Sequence, residues 1–163
     1  MRFALLLALL CAFTLHAEDL GLKVAPGFRV TLWADHTLAN DIYTMALDDK
    51  GRVVVSGKGY VKRLEDTKRT GKADTATLLA EPATGAMGLH FWSGSFAMTA
   101  NREVARLPLE PNESRKAVHY SALAKLSPGE HGGHAIRVGP DGRTYVIAGN
   151  DAGLFSQRGQ RNP

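Results

Sequence analysis

The sequence predicts an all-β chain built from one sheet unit written three times. Three observations carry this. Short runs alternate apolar and polar residues at the two-residue period of a strand, Asp/Gly turns separate them, and the same strand–turn–strand unit returns at long intervals. Phe28-Arg29-Val30-Thr31-Leu32-Trp33 is the first alternating run and is expected to be a strand. Tyr43 to Leu47 then leads through Asp48-Asp49-Lys50-Gly51 into Arg52 to Ser56, a hairpin whose Gly51 supplies the positive φ the turn needs. A third strand, Tyr60 to Leu64, follows Gly57-Lys58-Gly59.

The unit then repeats. Gly88 to Phe91 turns at Trp92-Ser93-Gly94 into Ser95 to Thr99, followed by Val104 to Leu107. Its third appearance is Ala135 to Val138, Gly139-Pro140-Asp141-Gly142, and Arg143 to Ile147. The turn glycines Gly51, Gly94 and Gly142 are 43 and 48 residues apart, and Val61, Arg63 and Leu64 recur 43 residues on as Val104, Arg106 and Leu107. A two-layer sandwich has turns every ~8–12 residues but no such long-range register. Periods of ~40–50 residues with several strands each mark the blades of a β-propeller. Because a propeller closes with ~4–8 blades, the expected fold is a partial β-propeller: about three blades of a six- or seven-bladed ring, truncated at its C-terminal side.

Composition is that of an ordinary globular chain, 44% apolar and 22% charged over 163 residues. Met1-Arg2 followed by apolar Phe3 to Leu15 reads as a secretory signal, cut after Ala17, which leaves 18–163 as the propeller part. The run is too short for a bilayer span, and the expected location is periplasmic or secreted. Lipid anchoring at Cys11 is the alternative, disfavoured because Leu10 precedes it where a small residue belongs. Cys11 is the single cysteine, so the mature chain has no disulfide, no thiolate metal site and no c-type haem motif. The net charge of +4 is scattered, and its densest stretch, Lys62 to Lys72, is interrupted by Glu65 and Asp66. No nucleic-acid partner is expected from such a pattern.

Chemistry-bearing residues gather at the third unit. Glu130-His131-Gly132-Gly133-His134 precedes its first strand, and Gly149-Asn150-Asp151 follows its second. Histidine suits general-base work because it titrates near neutrality, and glycines let a planar ligand approach the backbone. His131 is the candidate base. Asn150 and Asp151 come at the end of the neighbouring strand, where either can hold the second imidazole nitrogen. His134 and Asp151 are the candidate cofactor-binding residues. No third ligand is spaced to complete a zinc site with His131 and His134, so no metal-binding residue is assigned.

The run from His131 through Ile136, Val138-Gly139-Pro140-Asp141-Gly142 and Tyr145-Val146 to Gly149 resembles the central signature of soluble quinoprotein glucose and sorbosone dehydrogenases. The resemblance implies a six-bladed propeller using pyrroloquinoline quinone (PQQ) and calcium, a sugar or alcohol substrate, and His131 as the base that takes the hydroxyl proton. Two positions depart from it. The family's aspartate partner to the histidine is Asn150 here, which stabilises imidazolium less, and its arginine is Ala135. Nearly the whole mature chain also resembles the start of large secreted bacterial propellers labelled membrane-bound dehydrogenases, on Pro26-Gly27-Phe28, Gly85-Ala86-Met87-Gly88-Leu89, Glu130 to Arg137 and Ala148 to Gly153. Longer members carry further blades and a c-type haem module, the partners this chain then lacks. That implies a fragment inactive by itself. A non-catalytic propeller binding carbohydrate or protein is the alternative. The stretch Asp66 to Asp74 resembles an acidic calcium loop, but Lys68 and Thr70 replace its acids, and a plain turn is expected.

Overall fold

The computed structural model describes residues 20–92, 94–100, 103–110, 118–120 and 132–149. The expected signal, 1–17, lies outside them. The chain divides at Leu32/Trp33 into two units. Residues 20–32 contain one turn, closed by Phe28 N–H donating to Ala25 C=O at 3.1 Å.

Among the described residues from Trp33 onward the fold is all-β, with ten strands in antiparallel sheets. The first sheet has order β1-β2-β3-β4, comprising Ile42–Leu47, Val53–Gly57, Tyr60–Glu65 and Thr75–Ala80. The second repeats that order with β5 (Ala86–Trp92), β6 (Ser95–Ala100), β7 (Glu103–Pro108) and β8 (Val118–Tyr120). The third pairs β9 (Gly133–Val138) with β10 (Thr144–Ala148). The expected strand Phe28–Trp33 does not form. Alternation sets which side chains share a face, but a strand also needs a partner edge. Of these residues Trp33 has a single bond, its C=O accepting from Ala73 N–H at 2.7 Å.

The three sheets repeat in register, residue for residue. The pair Leu47↔Val53 becomes Phe91↔Phe96 and then Val138↔Thr144, while Ala46↔Val54 becomes His90↔Ala97 and then Arg137↔Tyr145. Between the second and third strands, Val53↔Leu64 becomes Phe96↔Leu107, and Gly57↔Tyr60 becomes Ala100↔Glu103. Even the irregularity recurs. Each first strand carries an extra residue near its start, between Ile42 and Thr44, between Ala86 and Gly88, and between Gly133 and Ile136. Bulges of this kind re-aim a side chain and bend the strand.

The first and third hairpins turn identically. Gly51 N–H donates to Asp48 C=O, Gly142 N–H to Gly139 C=O, and both glycines have positive φ, +76° and +74°. The second turn is one residue shorter, with Trp92 paired directly to Ser95. That deletion explains why the period differs before and after each turn.

The first strands lie side by side: β1 packs on β5 and β5 on β9. Between the first two sheets sit Val54, Val61, Leu89, Phe96, Met98 and Ala105, with Phe96 and Leu89 almost wholly buried. Burying each such side chain contributes roughly 1.5–3 kcal/mol. Between the second and third sheets Ala97 and Val104 pack with Ile136 and Val146. The outer face of β2 and β3 is covered by Trp33, Ala34, Leu38 and Ala39.

Candidate functional site

The candidate site is the end of the third sheet where β9 begins and β10 ends. Gly149 N–H donates to Gly132 C=O at 2.7 Å, so the segments entering β9 and leaving β10 are tied together there. His131, Asn150 and Asp151, three of the four residues singled out from the sequence, lie outside the described residues. The fourth, His134, is half-buried within the bulge of β9, at the register position of Tyr43 in β1 and Met87 in β5.

The backbone around His134 is fixed from the second sheet. Thr99 Oγ1 donates to His134 C=O at 2.5 Å. At the matching place one sheet earlier, Ser56 Oγ accepts from Ala86 N–H at 2.8 Å. A hydroxyl on the second strand therefore ties each sheet to the first strand of the next. Gly88 allows the close approach, since a Cβ there would stand 2.2 Å from His134 O and 3.0 Å from Ile136 N.

Two further residues, toward the hairpin end of β5 and β9 and away from the Gly149–Gly132 tie, couple the second and third sheets, and sequence reasoning missed both. His90 and Arg137 occupy one register position in β5 and β9. Arg137 Nη1 donates to Leu89 C=O at 2.8 Å and to Ile136 C=O at 2.7 Å, bridging the two first strands. Burial, and then the Arg137 charge, hold the His90 imidazole below its usual pKa, favouring the neutral ring. The signal that could have found them is the repeat itself, which carries position 46 to 90 and 137. Ala135, standing where the resembled family has arginine, is half-buried on β9.

Among the described residues no cluster of three or more His, Cys, Asp or Glu could hold a metal ion. In the loop of 66–74 the carboxylates serve the loop itself. Asp66 accepts from Thr70 N–H and Gly71 N–H, and Asp74 from Thr67 N–H, Thr67 Oγ1 and Lys68 N–H. Those bonds close a turn between β3 and β4. Nor does any described helix have the length and apolarity to cross a membrane.

Residues 17–162 match the family model described as a domain of unknown function, DUF7133. The chain belongs to that family. No curated protein and no solved structure matches it. Within this DUF7133 domain, the start of β9 offers a glycine-lined backbone beside His134, while His90 and Arg137 lie toward the opposite, hairpin end of β5 and β9.

Proposed function

We propose that this DUF7133 domain forms consecutive blades of a secreted β-propeller that oxidises a sugar or alcohol, with His131 as general base. One observation carries the reading. The same bulged hairpin occurs three times with its first strands adjacent, which supports a reading as consecutive blades around a hub. His131 and Asn150 adjoin in sequence the two residues of the Gly149–Gly132 bond. In this reading His131 takes the hydroxyl proton and Asn150 orients its ring. PQQ as hydride acceptor, with calcium, rests on the sequence resemblance, with His134 the one candidate cofactor-binding residue among the described residues.

A second reading is a propeller that binds carbohydrate or protein without turnover. It is favoured by Asn150 and Ala135, which replace the charged pair of the resembled dehydrogenases. Titration with PQQ, calcium and a panel of sugars and alcohols separates the two, with Gly132, Gly133 and Gly149 amide shifts and dye reduction as readouts. Quinone and sugar binding, with dye reduction that disappears in His131→Ala, supports the dehydrogenase. Sugar binding without quinone binding supports the second reading. Amide shifts absent for every ligand contradict both.

A further inference from the structure

Residues 33–40 do for the first sheet what a whole sheet does for the second. On the second sheet, Phe96, Met98, Ala100, Ala105 and Leu107 share one face, packed on Val54 and Val61 of the sheet before it. The register carries those positions back to Val53, Val55, Gly57, Lys62 and Leu64. What lies on this earlier row is the turn segment of Trp33, Ala34, Leu38 and Ala39, and beneath it Val55 and Leu64 are each 2% exposed. The segment is apolar inward and polar outward, with Asp35, His36, Thr37 and Asn40 exposed. It is also held in shape by its own bonds. Leu38 N–H and Ala39 N–H donate to Asp35 C=O, and Thr37 N–H and Oγ1 donate to the Asp35 carboxylate.

The first sheet departs from the second at the positions that grip this segment. Lys62 stands where β7 has the buried Ala105, and Tyr60 where it has Glu103. Lys62 Nζ donates to Leu38 C=O at 3.0 Å and lies 4.7 Å from the centre of the Tyr60 ring, whose hydroxyl donates to Asn40 C=O. Gly57 replaces Ala100 beneath that ring, where a Cβ would stand 2.6 Å from Tyr60 Cε1. Ala73 N–H holds the other end, donating to Trp33 C=O at 2.7 Å. Under a stacked sheet, an ammonium at position 62 would be buried without a partner, whereas the turn offers it a carbonyl. We infer that residues 33–40 are a cap: a strap that takes the place of a preceding sheet and closes the packing face of the first one within the chain. A terminal unit of a repeat otherwise presents its packing face to water, which is why such arrays carry capping elements with a polar outer surface. A neighbour on this side meets the strap and not the Val55 row, so a seam here differs from the two sheet-on-sheet contacts. The inference uses the register alone and stands or falls apart from any dehydrogenase activity.

Native-state hydrogen exchange on the full chain tests it, with circular dichroism as the check on folding. Tyr60→Phe and Lys62→Ala together remove both grips. In that double variant the Leu38, Ala39 and Ala73 amides are expected to exchange at least tenfold faster, while those of β6 and β7 keep their rates. Binding of an apolar dye is expected to rise at least threefold as the Val55 row is bared. Lys62→Arg keeps a donor and is expected to stay close to the parent chain in both readouts. Lys62→Met, which keeps the apolar stem and loses the donor, serves with the same readouts if the double variant fails to fold. Exchange that quickens equally in every strand overturns the inference, because the grips then support the whole fold and not a cap. Unchanged exchange at Leu38 and Ala73 overturns it too. So does faster exchange there without added dye binding, which means that the strap shields nothing.

Discussion

The hydroxyl of Thr99 on β6 donates to the backbone carbonyl of His134 on β9, joining two sheets through a side chain that is 1% exposed. Ser56 makes the matching tie between the first two sheets, accepting from Ala86 N–H. These two bonds and the small residues around them set how closely one first strand lies against the next.

Removing either hydroxyl leaves a buried backbone group without its partner. Thr99→Val and Ser56→Ala are each expected to destabilise the domain by about 1–3 kcal/mol, measured by urea unfolding. Thr99→Ser keeps the donor and is expected to recover most of the loss. Equal stability of Thr99→Val and the parent chain would mean that this tie contributes nothing.

Gly88 has no room for a side chain. Gly88→Ala places a methyl against the carbonyl of His134 and the amide of Ile136, both backbone atoms, so relief requires the second and third sheets to separate. The expected cost is about 1–3 kcal/mol or more, with the His134 and Ile136 amide resonances displaced. A neutral effect in thermal unfolding, with those resonances unmoved, would contradict the packing.

Acid sensitivity is expected where the first two sheets are clamped by charge. Arg52 bonds Asp48 at 2.6 Å and Glu110 at 3.0 Å, and Arg63 also reaches Glu110 at 3.1 Å. The Arg52 and Arg63 bonds hold the Glu110 carboxyl below its usual range. For Asp48 burial acts upward, but bonds from Arg52 and Lys50 outweigh it and the net direction is down. With folded values lowered, this stability is fully present above the ordinary carboxylate pKa values of about 4. It is lost as pH falls through the depressed ones. Unfolding measured between about pH 5 and 2 should show that slope, and Glu110→Gln should flatten it.

His90 gives a second, separate pH dependence. Its pKa is lowered on folding, by burial first and by Arg137 next, so the unfolded chain binds the proton more readily. Its contribution is complete above the ordinary histidine value of about 6.5 and declines as pH falls below it. Titration followed by histidine proton shifts checks the direction, and His90→Gln should remove this part of the slope.

Much of the fold was legible because the repeat is encoded in local chemistry. Gly51 and Gly142 are required by their positive φ, and the 43-residue echo of Val61, Arg63 and Leu64 is kept as actual strand pairing. The fourth strands were not legible. Thr75–Ala80 reads Thr-Ala-Thr-Leu-Leu-Ala, without alternation, and it is a strand because β3 offers it an edge. Phe28–Trp33 failed for the converse reason, alternation with no partner edge. The inter-sheet ties were hidden because Ser56, Gly88 and Thr99 look like ordinary strand residues until two sheets are laid together. Of the candidate site, the sequence marked His134; it did not mark His90 or Arg137, which lie toward the hairpin end and matter through the adjacency of β5 and β9. The register could have flagged them.

Three copies of one sheet unit stand side by side along their first strands. Through-space proton contacts in a labelled sample test this arrangement directly. Cross-peaks are expected between the Gly88 α protons and the Ile136 amide, and between the Ala97 and Ile136 methyl groups. A spectrum lacking both, with β9 in contact with the outer strands β4 or β8 instead, would contradict it.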